Sequence, residues 1–524
     1  MSTPTQLACE DGASLLVEEI RQIDEAISRL MKRKVNALVQ LNAVRTPYRN
    51  LPDEVLSEIF RIAGEVDSPP FSTGYRFSPG YNTPSREFFF ALRILGAVCS
   101  RWRRVAWSTQ RIWTYLGLDV NDALRKHNFA LPRTYFRNAG NRPMTVLLDC
   151  ERILRRISLR LGPSDGPGIQ GYETTLELLR SLIFLDYPQK IAHLRLNCPP
   201  PEWLPFLTNS FVALRRLELG WPYRTEAPHQ MISLTELCSL EEVVINRIYV
   251  NIELPWEQIK YLDITGTCFE VAARLLISCP NLVKYYVKHL RGDPPADPIS
   301  WLPASQITLP HLEIFYWQSW RPEARYAQLF GLLNFPSLRH IHWSEDEDRR
   351  IDNYRQHSQA VGLFFERLPT AHLRRLDLYG FGKNEAEERL STILNNILCR
   401  LRQLSLHEGS RKFSTIAAIA SILHKAQQEG RQIFPDLEHL TLDVSYPDSE
   451  GMEGIVSLIQ ESRACGVTDF CLEIVDLFDK SECWNSEIRA RFNAMVQEGF
   501  KLKVLAGGKM VSWLSQDSQE QSIV

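Results

Sequence analysis

The sequence lacks long hydrophobic runs, an excess of charge of either sign and regularly spaced cysteines. In 524 residues no apolar stretch approaches the roughly eighteen that a bilayer span needs, and the first residues lack the basic and then apolar segments of a secretory signal. Sixty basic and 62 acidic residues give a net charge of −2, which disfavours a dedicated nucleic-acid-binding surface. The 11 cysteines are scattered, so we expect reduced thiols and a location in the cytoplasm or nucleus.

The motifs that accompany common catalytic sites are also missing. No Gly-x-Ser-x-Gly segment and no pair of Cys-x-x-Cys segments occurs, and the AGGKM run around Lys509 lacks the spaced glycine and the Ser or Thr of a phosphate-binding loop. His340 and His342, followed by Glu345 and Asp346, have the composition of a metal site, but a polar strand edge before an acidic turn is the simpler interpretation. We predict a protein that is not an enzyme and that holds no metal or other cofactor.

A seven-residue apolar repeat occupies residues 15–44. It predicts a long helix within residues 1–46, with charged side chains on the faces away from one seam. The seam consists of Leu16, Ile20, Ile23, Ile27, Leu30, Lys34, Ala37, Leu41 and Val44. Lys34 and Ala37 weaken its middle, so two interpretations stay open: a coiled coil that joins two copies of the chain, or an amphipathic helix that packs on its own chain.

Residues 47–120 predict a small all-helical module. Leu51-Pro52 and the two acidic residues that follow indicate a helix start, because proline suits the first turn and acidic side chains suit its exposed amides. The stretch 65–87 is rich in Pro, Gly, Ser and Thr and predicts an inserted loop before two further helical segments. Three short helices bury little core, so we expect apolar surface left over for a partner.

The order of residues in this module resembles an F-box. The match consists of Leu51-Pro52, Ile59-Phe60, Leu95, Val98-Cys99-Ser100, Arg101-Trp102-Arg103 and Ile112-Trp113. It is most similar to the F-box proteins of mushroom-forming fungi, from which it departs by the insertion at 65–87. The resemblance implies binding to a Skp-family adaptor and, through it, to a cullin–RING ubiquitin ligase of the SCF type.

The resemblance also implies which side chains contact the adaptor. We expect these to be Leu51, Pro52, Val55, Ile59, Phe60, Val98, Cys99, Trp102 and Trp113. In this interpretation Cys99 is a small buried hydrophobic residue and not a nucleophile. The alternative is that the module is a cap that packs on the large domain.

A short apolar pattern recurs along residues 121–510. Two variable residues and then one variable residue separate three apolar residues, and amphipathic segments lie between many of the copies. The middle apolar positions are Leu194, Leu217, Val243, Leu262, Tyr285, Phe315, Ile341, Leu376, Leu404, Leu440 and Phe470. This interval predicts a leucine-rich repeat solenoid, followed by a disordered tail at 511–524; the alternative is an ordinary α/β domain with leucine-rich strands.

Strand alternation sends the variable residues beside each middle position to one face of the sheet. The centre of that face is rich in aromatic residues and histidines, with charges toward both ends, as in many binding hot spots. We predict that a client protein binds there, at Tyr261, Tyr286, Tyr316, His340 and His342. Solvated strand residues that simply favour β-structure are the alternative interpretation.

The sequence as a whole predicts an α/β chain with an N-terminal long helix, a small all-α F-box-like module and an irregular leucine-rich repeat solenoid. We expect a non-catalytic substrate receptor that binds a Skp-family adaptor through the module and a client protein through the repeats. The alternative is a leucine-rich repeat protein-binding scaffold that has no link to ubiquitination.

Overall fold

The computed structural model describes most of the chain in short ranges. These are residues 4–45, 51–64, 94–120, 130–151, 174, 176–208, 210–221, 232–247, 252–290, 302–303, 305–319, 326–345, 354–368, 372–379, 390, 392–394, 401–407, 422, 425, 428–429, 434–443, 449–475 and 484–514. The predicted insertion at 65–87 lies outside the described residues, and so do residues 515–524 of the predicted tail.

The helices comprise one long N-terminal helix and a series of short ones. The α-helices are α1 (Pro4–Arg45), α2 (Asp53–Gly64), α3 (Ser100–Ser108), α4 (Ala130–Asn138), α5 (Phe269–Ser278), α6 (Tyr326–Leu332), α7 (Tyr354–Arg367), α8 (Ser449–Ala464) and α9 (Ser486–Gln497). Single turns of 3₁₀-helix lie at Gln110–Trp113, Pro188–Lys190 and Trp256–Gln258, a longer one at Pro201–Phe206, and a π-helical turn at Ser181–Asp186. The predicted N-terminal helix is present, and it begins earlier than its apolar repeat does.

The strands are short and follow one another at the repeat interval. They are β1 (Tyr115–Asp119), β2 (Met144–Asp149), β3 (Ile191–Asn197), β4 (Arg216–Gly220), β5 (Ile232–Ser233), β6 (Glu242–Asn246), β7 (Ile252–Glu253), β8 (Tyr261–Thr265), β9 (Lys284–Leu290), β10 (Ile307–Thr308), β11 (Ile314–Ser319), β12 (Leu333–Asn334), β13 (His340–Glu345), β14 (Arg375–Tyr379), β15 (Gln403–His407), β16 (His439–Asp443), β17 (Asp469–Ile474), β18 (Lys501–Ala506) and β19 (Lys509–Met510).

Fifteen of these strands form one large sheet whose order follows the chain. The order is β1-β2-β3-β4-β6-β8-β9-β11-β13-β14-β15-β16-β17-β18-β19, while β5 pairs with β7 and β10 with β12. From β3 to β18 the neighbours are parallel, and only β19 returns antiparallel among the described pairs. The protein is therefore an α/β protein with a mostly parallel sheet, and the strand order is consistent with a leucine-rich repeat-like solenoid.

The chain divides into two compact units. Residues 1–119 and 127–144 form the first, and residues 120–126 and 145–524 form the second. In the first unit α2 and α3 pack through Leu56 and Phe60, whose ring centroid lies 4.9 Å from that of Trp102. Two apolar side chains of α2 thus close the interior of this small helical cluster.

Two rows of apolar side chains fill the core of the second unit. Parallel pairing in constant register aligns the middle positions with each other and the third apolar positions with each other. The middle row is Leu194, Leu217, Val243, Leu262, Tyr285, Phe315, Ile341, Leu376, Leu404, Leu440, Leu472 and Val504, all of them buried. Of the eleven middle positions that the sequence pattern named, ten lie in this row, and the pattern did not extend to Val504 in β18.

The exception is the repeat at β17. The sequence pattern made Phe470 its middle position, but the register pairs Leu440 with Leu472 and Phe470 with Leu502. A shift of two residues keeps every side chain on its own face, so the apolar pattern alone could not detect it.

A short hairpin ends the sheet. Gly507 and Gly508 have φ angles of 56° and 76°, which allows the two-residue turn that pairs Leu505 with Met510. The predicted tail boundary was wrong at this point, because Val511 and Leu514 are buried. The apolar side chains directly after the hairpin pack on the core, so the packed part of the chain extends through residue 514.

The second unit has its most aromatic core where β11 and β13 face α6 and α7. The ring of Phe330 lies 5.3 Å from Trp317 and 5.0 Å from Trp343, and Trp343 lies 5.6 Å from Phe364. Trp343 is 1% exposed, so its removal leaves a large cavity that its neighbours cannot fill.

We expect Trp343→Ala to lower the free energy of unfolding by about 3–5 kcal/mol, because it loses both apolar burial and packing. Urea unfolding, monitored by circular dichroism because this signal does not require the tryptophan that is removed, measures the change. Val212→Ala is the matched control: Val212 is 64% exposed, and we expect a change within about 0.5 kcal/mol. Equal effects of the two substitutions would contradict the packing described here.

Candidate protein-binding surfaces

The face of the sheet opposite the apolar core, called the polar face below, carries two aligned rows of side chains. Residues on either side of each middle position point away from the core because successive strand residues alternate. The first row is His193, Arg216, Glu242, Tyr261, Lys284, Ile314, His340, Arg375, Gln403 and His439. The second row is Arg195, Glu218, Val244, Asp263, Tyr286, Tyr316, His342, Asp377, Ser405 and Thr441. All of the residues predicted to bind a client lie in these rows.

Aromatic rings on the polar face form a continuous stack, called the aromatic ladder below. Its members are Tyr261, Tyr286, Tyr316, His342, Tyr379 and His407. Consecutive ring centroids are 3.6 to 5.7 Å apart, and the rings of the closest pair, Tyr316 and His342, are stacked and nearly parallel, with an angle of 10° between their planes. Neighbouring strands lie about 4.8 Å apart, so rings at equal positions stack, as Tyr286, Tyr316 and His342 do and as Tyr379 and His407 do. Two steps, from Tyr261 to Tyr286 and from His342 to Tyr379, are diagonal, because the register offsets these residues by two.

The stack changes what the predicted hot-spot residues offer to a partner. Tyr316 and His342 are 6% and 7% exposed, because their ring faces cover each other, whereas Tyr261, Tyr286 and His340 are half-buried. Tyr316 and His342 therefore expose little of their rings, and their role in client binding stays a prediction.

Sequence reasoning missed Tyr379 and His407 as members of the ladder. Both come directly after the last apolar residue of their strands, and they pair with each other in the register of β14 and β15. They occupy the same face as the two predicted rows, because the side-chain period of a strand is two. Extending each repeat by one residue would have found them.

An ionic cluster lies at the N-terminal end of the polar face. Glu218 accepts hydrogen bonds from His193 at 3.0 Å and from Arg216 at 2.7 Å, and Arg216 also reaches Glu242 at 2.9 Å. Burial opposes ionisation of Glu218, but the hydrogen bond from His193 and the charges of Arg195 and Arg216 outweigh it and lower the pKa to about 2. This carboxylate is therefore charged at every physiological pH.

A lysine and an aspartate lie beside the tyrosines of the ladder. Lys288 Nζ lies 2.8 Å from Asp263 Oδ2 and 5.5 and 5.7 Å from the ring centroids of Tyr286 and Tyr316. Burial raises the pKa of Asp263 despite the lysine, and its Oδ1 atom is buried without a hydrogen-bond partner. The lysine ammonium thus interacts both with the carboxylate and with the faces of two rings.

The two histidines that had the composition of a metal site share one carboxylate instead. Asp377 Oδ2 lies 2.8 Å from His340 Nε2, 3.0 Å from Arg375 Nε and 3.8 Å from His342 Nδ1. Burial opposes the charge of Asp377, but the histidines and Arg375 hold its pKa well below the usual range. Among the residues that the structure describes, no three His, Cys, Asp or Glu side chains are grouped to hold a metal ion.

A second candidate surface lies on α2. Its residues Leu56 and Phe60 are buried, yet Val55, Ile59 and Ile62 on another face are 41%, 41% and 59% exposed. Exposed Pro52 precedes them at helical spacing and completes what we call the exposed stripe of α2: Pro52, Val55, Ile59 and Ile62. The helix thus has apolar side chains on two faces, one of which the described residues of the first unit leave exposed.

The residues predicted to contact an adaptor divide by burial. Pro52, Val55, Ile59 and Val98 are exposed, Leu51, Cys99 and Trp102 are half-buried, and Phe60 and Trp113 are buried. Phe60 and Trp113 differ from the prediction, because both side chains pack inside the first unit. Trp113 donates its Nε1–H to Ala106 O at 2.9 Å, and its ring lies 5.0 Å from that of Tyr135. Sequence reasoning missed the exposed Ile62, Ile94 and Trp107.

Cys99 also differs from its predicted role. It precedes α3 in extended backbone, and its Sγ accepts a hydrogen bond from the backbone N–H of Trp102 at 3.4 Å. The thiol thus caps the helix start, where serine or threonine is more usual. The described cysteines are all free thiols.

No protein-family model and no curated protein sequence matches the chain. None of the described helices combines the length and the hydropathy that a membrane crossing requires.

One histidine of the ladder, His342, makes the stability of the fold depend on pH. Burial lowers the pKa of His342 to about 4 from its ordinary 6.5, and the nearby Asp377 only partly offsets this. Between these pH values the unfolded chain binds a proton at His342 that the folded chain does not. The contribution of His342 to the free energy of unfolding is therefore complete above pH 6.5 and is lost as the pH falls toward 4. Asp377 adds its own loss only below its ordinary pKa of 3.8, because its folded value is depressed.

We expect His342→Gln to reduce the decline in the free energy of unfolding between about pH 6.5 and pH 4.5. Urea titrations of both proteins across this interval measure the difference, in which the contributions of other groups cancel. Parallel pH profiles for the two proteins would show that folding leaves the pKa of His342 unshifted.

Proposed function

We propose that the chain is a substrate receptor of an SCF-type ubiquitin ligase. The first unit binds a Skp-family adaptor through the exposed stripe of α2, and the second unit binds a client protein through the polar face. The chain itself performs no covalent step. It raises the effective concentration of a client lysine near the charged ubiquitin carrier.

The observation that carries this proposal is the exposed stripe of α2. A helix with one buried and one exposed apolar face is a common way to bind a groove or a helical partner. The residues that resemble an F-box supply the exposed Pro52, Ile59 and Val98 as well as the buried Phe60 and Trp113, and the exposed Val55 lies between Pro52 and Ile59 in the stripe. Resemblance and exposure therefore favour the same side of the module.

Polar contacts hold the start of α2 in place. Arg101 donates to Asp53 at 2.8 Å and to the carbonyl oxygen of Leu51, and the hydroxyls of Ser57 and Thr109 lie 2.7 Å apart. The hydrogen bond from Arg101 lowers the pKa of Asp53, so this carboxylate stays charged. An ordered helix loses less conformational entropy on binding, which favours association.

The polar face suits a client with mixed charge and aromatic or apolar anchors. Lys284 is the register neighbour of the half-buried Tyr261, and the acidic Glu242 lies one strand away on its N-terminal side. Arg375 lies farther along the face, beside His340 and Asp377. Charges at the rim and aromatic edges at the centre match the anatomy of protein interfaces. The stacked ladder keeps these edges in fixed positions.

The adaptor site is tested by Val55→Glu combined with Ile59→Glu. Both side chains are exposed, so the double variant should fold like the wild type yet co-purify with a Skp-family adaptor at least about tenfold less, because two charges would enter an apolar contact. Leu185→Glu, at a side chain that is 57% exposed elsewhere, is the matched control and should retain the adaptor. Full co-purification by the double variant would reject this site.

The client site is tested by Tyr261→Ala combined with Tyr286→Ala. The double variant should retain the adaptor but lose, by about tenfold or more, the proteins that proximity labelling detects beside the wild type. The adaptor-deficient variant, which holds its clients without degrading them, is the positive control. An unchanged set of labelled proteins would place client binding on another surface.

A further inference from the structure

The long helix α1 carries an apolar stripe that the described residues of the chain leave exposed. Leu16, Ile20, Ile23, Ile27, Leu30 and Leu41 are 61%, 59%, 51%, 48%, 63% and 43% exposed. They occupy the seam of the seven-residue repeat, and Lys34 and Ala37 fill its two remaining positions between residues 16 and 41. A stripe of this length on a helix is typical of a two-stranded coiled coil.

The charges of α1 are divided between its two halves. Residues 16–25 contain Glu18, Glu19, Asp24 and Glu25 and a single basic residue, Arg21, which pairs with Glu18 at 2.8 Å and with Glu25. Residues 26–41 contain Arg29, Lys32, Arg33 and Lys34 and no acidic residue. The helix is thus acidic in its first half and basic in its second half.

We propose that α1 pairs with α1 of a second copy of this chain in an antiparallel coiled coil. In a parallel pair the acidic halves would lie together, the basic halves would lie together, and Lys34 would meet Lys34 in the apolar seam. An antiparallel pair places each acidic half beside a basic half, so the charge pattern favours this orientation.

The seam also fixes the antiparallel register. Its positions match when Ile27 lies level with Leu30 of the second copy, and further layers then join Ile20 with Ala37 and Leu16 with Leu41. Each layer pairs a seam residue with a seam residue, and the small Ala37 faces the large Ile20. The layers span about 39 Å at 1.5 Å per residue.

Lys34 has a specific role in this register. It lies level with Ile23 of the second copy, where Asp24 is the next residue and flanks the seam. The long lysine stem packs along the seam while its ammonium reaches that carboxylate. The residue that weakens a parallel coil thus provides two ion pairs per antiparallel dimer and selects the orientation.

A charge-swap cycle on the full-length chain tests the proposal by sedimentation velocity. The wild type should dimerise, and Lys34→Glu or Asp24→Lys alone should each raise the dimer Kd by about tenfold, because like charges would meet in both symmetric pairs. The double variant, Asp24→Lys with Lys34→Glu, should recover the wild-type Kd within about threefold. Lys32→Glu, the same charge change on the outer face of the helix, is the matched control and should alter the Kd by less than about threefold.

Three results would overturn the proposal. A wild type that stays monomeric at tens of micromolar would show that the stripe packs elsewhere. Single variants that dimerise like the wild type would show that another surface joins the copies. Single variants that both weaken the dimer, with no recovery in the double variant, would reject the antiparallel register.

Discussion

Parallel pairing of short strands in constant register is the constraint on which the second unit depends. Because each strand aligns with the next residue by residue, equal positions of successive repeats come to lie about 4.8 Å apart. Apolar positions then form continuous rows that α5, α6 and α7 cover, as where Phe330 contacts Trp317 and Trp343. The same alignment stacks Tyr316 on His342 on the opposite face. Core and candidate client site are two results of one hydrogen-bonding pattern.

Burial on the polar face explains its unusual electrostatics. Asp263 and Glu218 are both buried, yet their pKa values shift in opposite directions. Burial dominates for Asp263, which has one lysine partner, whereas ionic partners dominate for Glu218. Several cations or histidine donors reach Glu218 and also Asp377, and they lower the pKa of each carboxyl despite its burial. The arrangement gives the face a fixed pattern of charge before any partner arrives.

Much of the fold follows from the sequence because the repeat pattern constrains a strand strongly. Middle positions such as Leu217 and Leu376 are buried as predicted, since an alternating strand with one apolar face has one favourable orientation. Phe470 was assigned to the wrong layer because a shift of two residues leaves that orientation intact. The burial of Phe60, Trp113, Tyr316 and His342 depends on which neighbours stack on them, and a single sequence does not contain that information.

The hairpin of β18 and β19 has a consequence for how the protein behaves in solution. A parallel sheet that stopped at β18 would present a row of free amide and carbonyl groups to which another molecule could add a strand. A two-residue antiparallel return, with exposed Lys509 and Met510, occupies part of that row and offers very little length for further pairing. The repeat array is thereby self-terminating, and its last strand is a poor template for fibrillar growth.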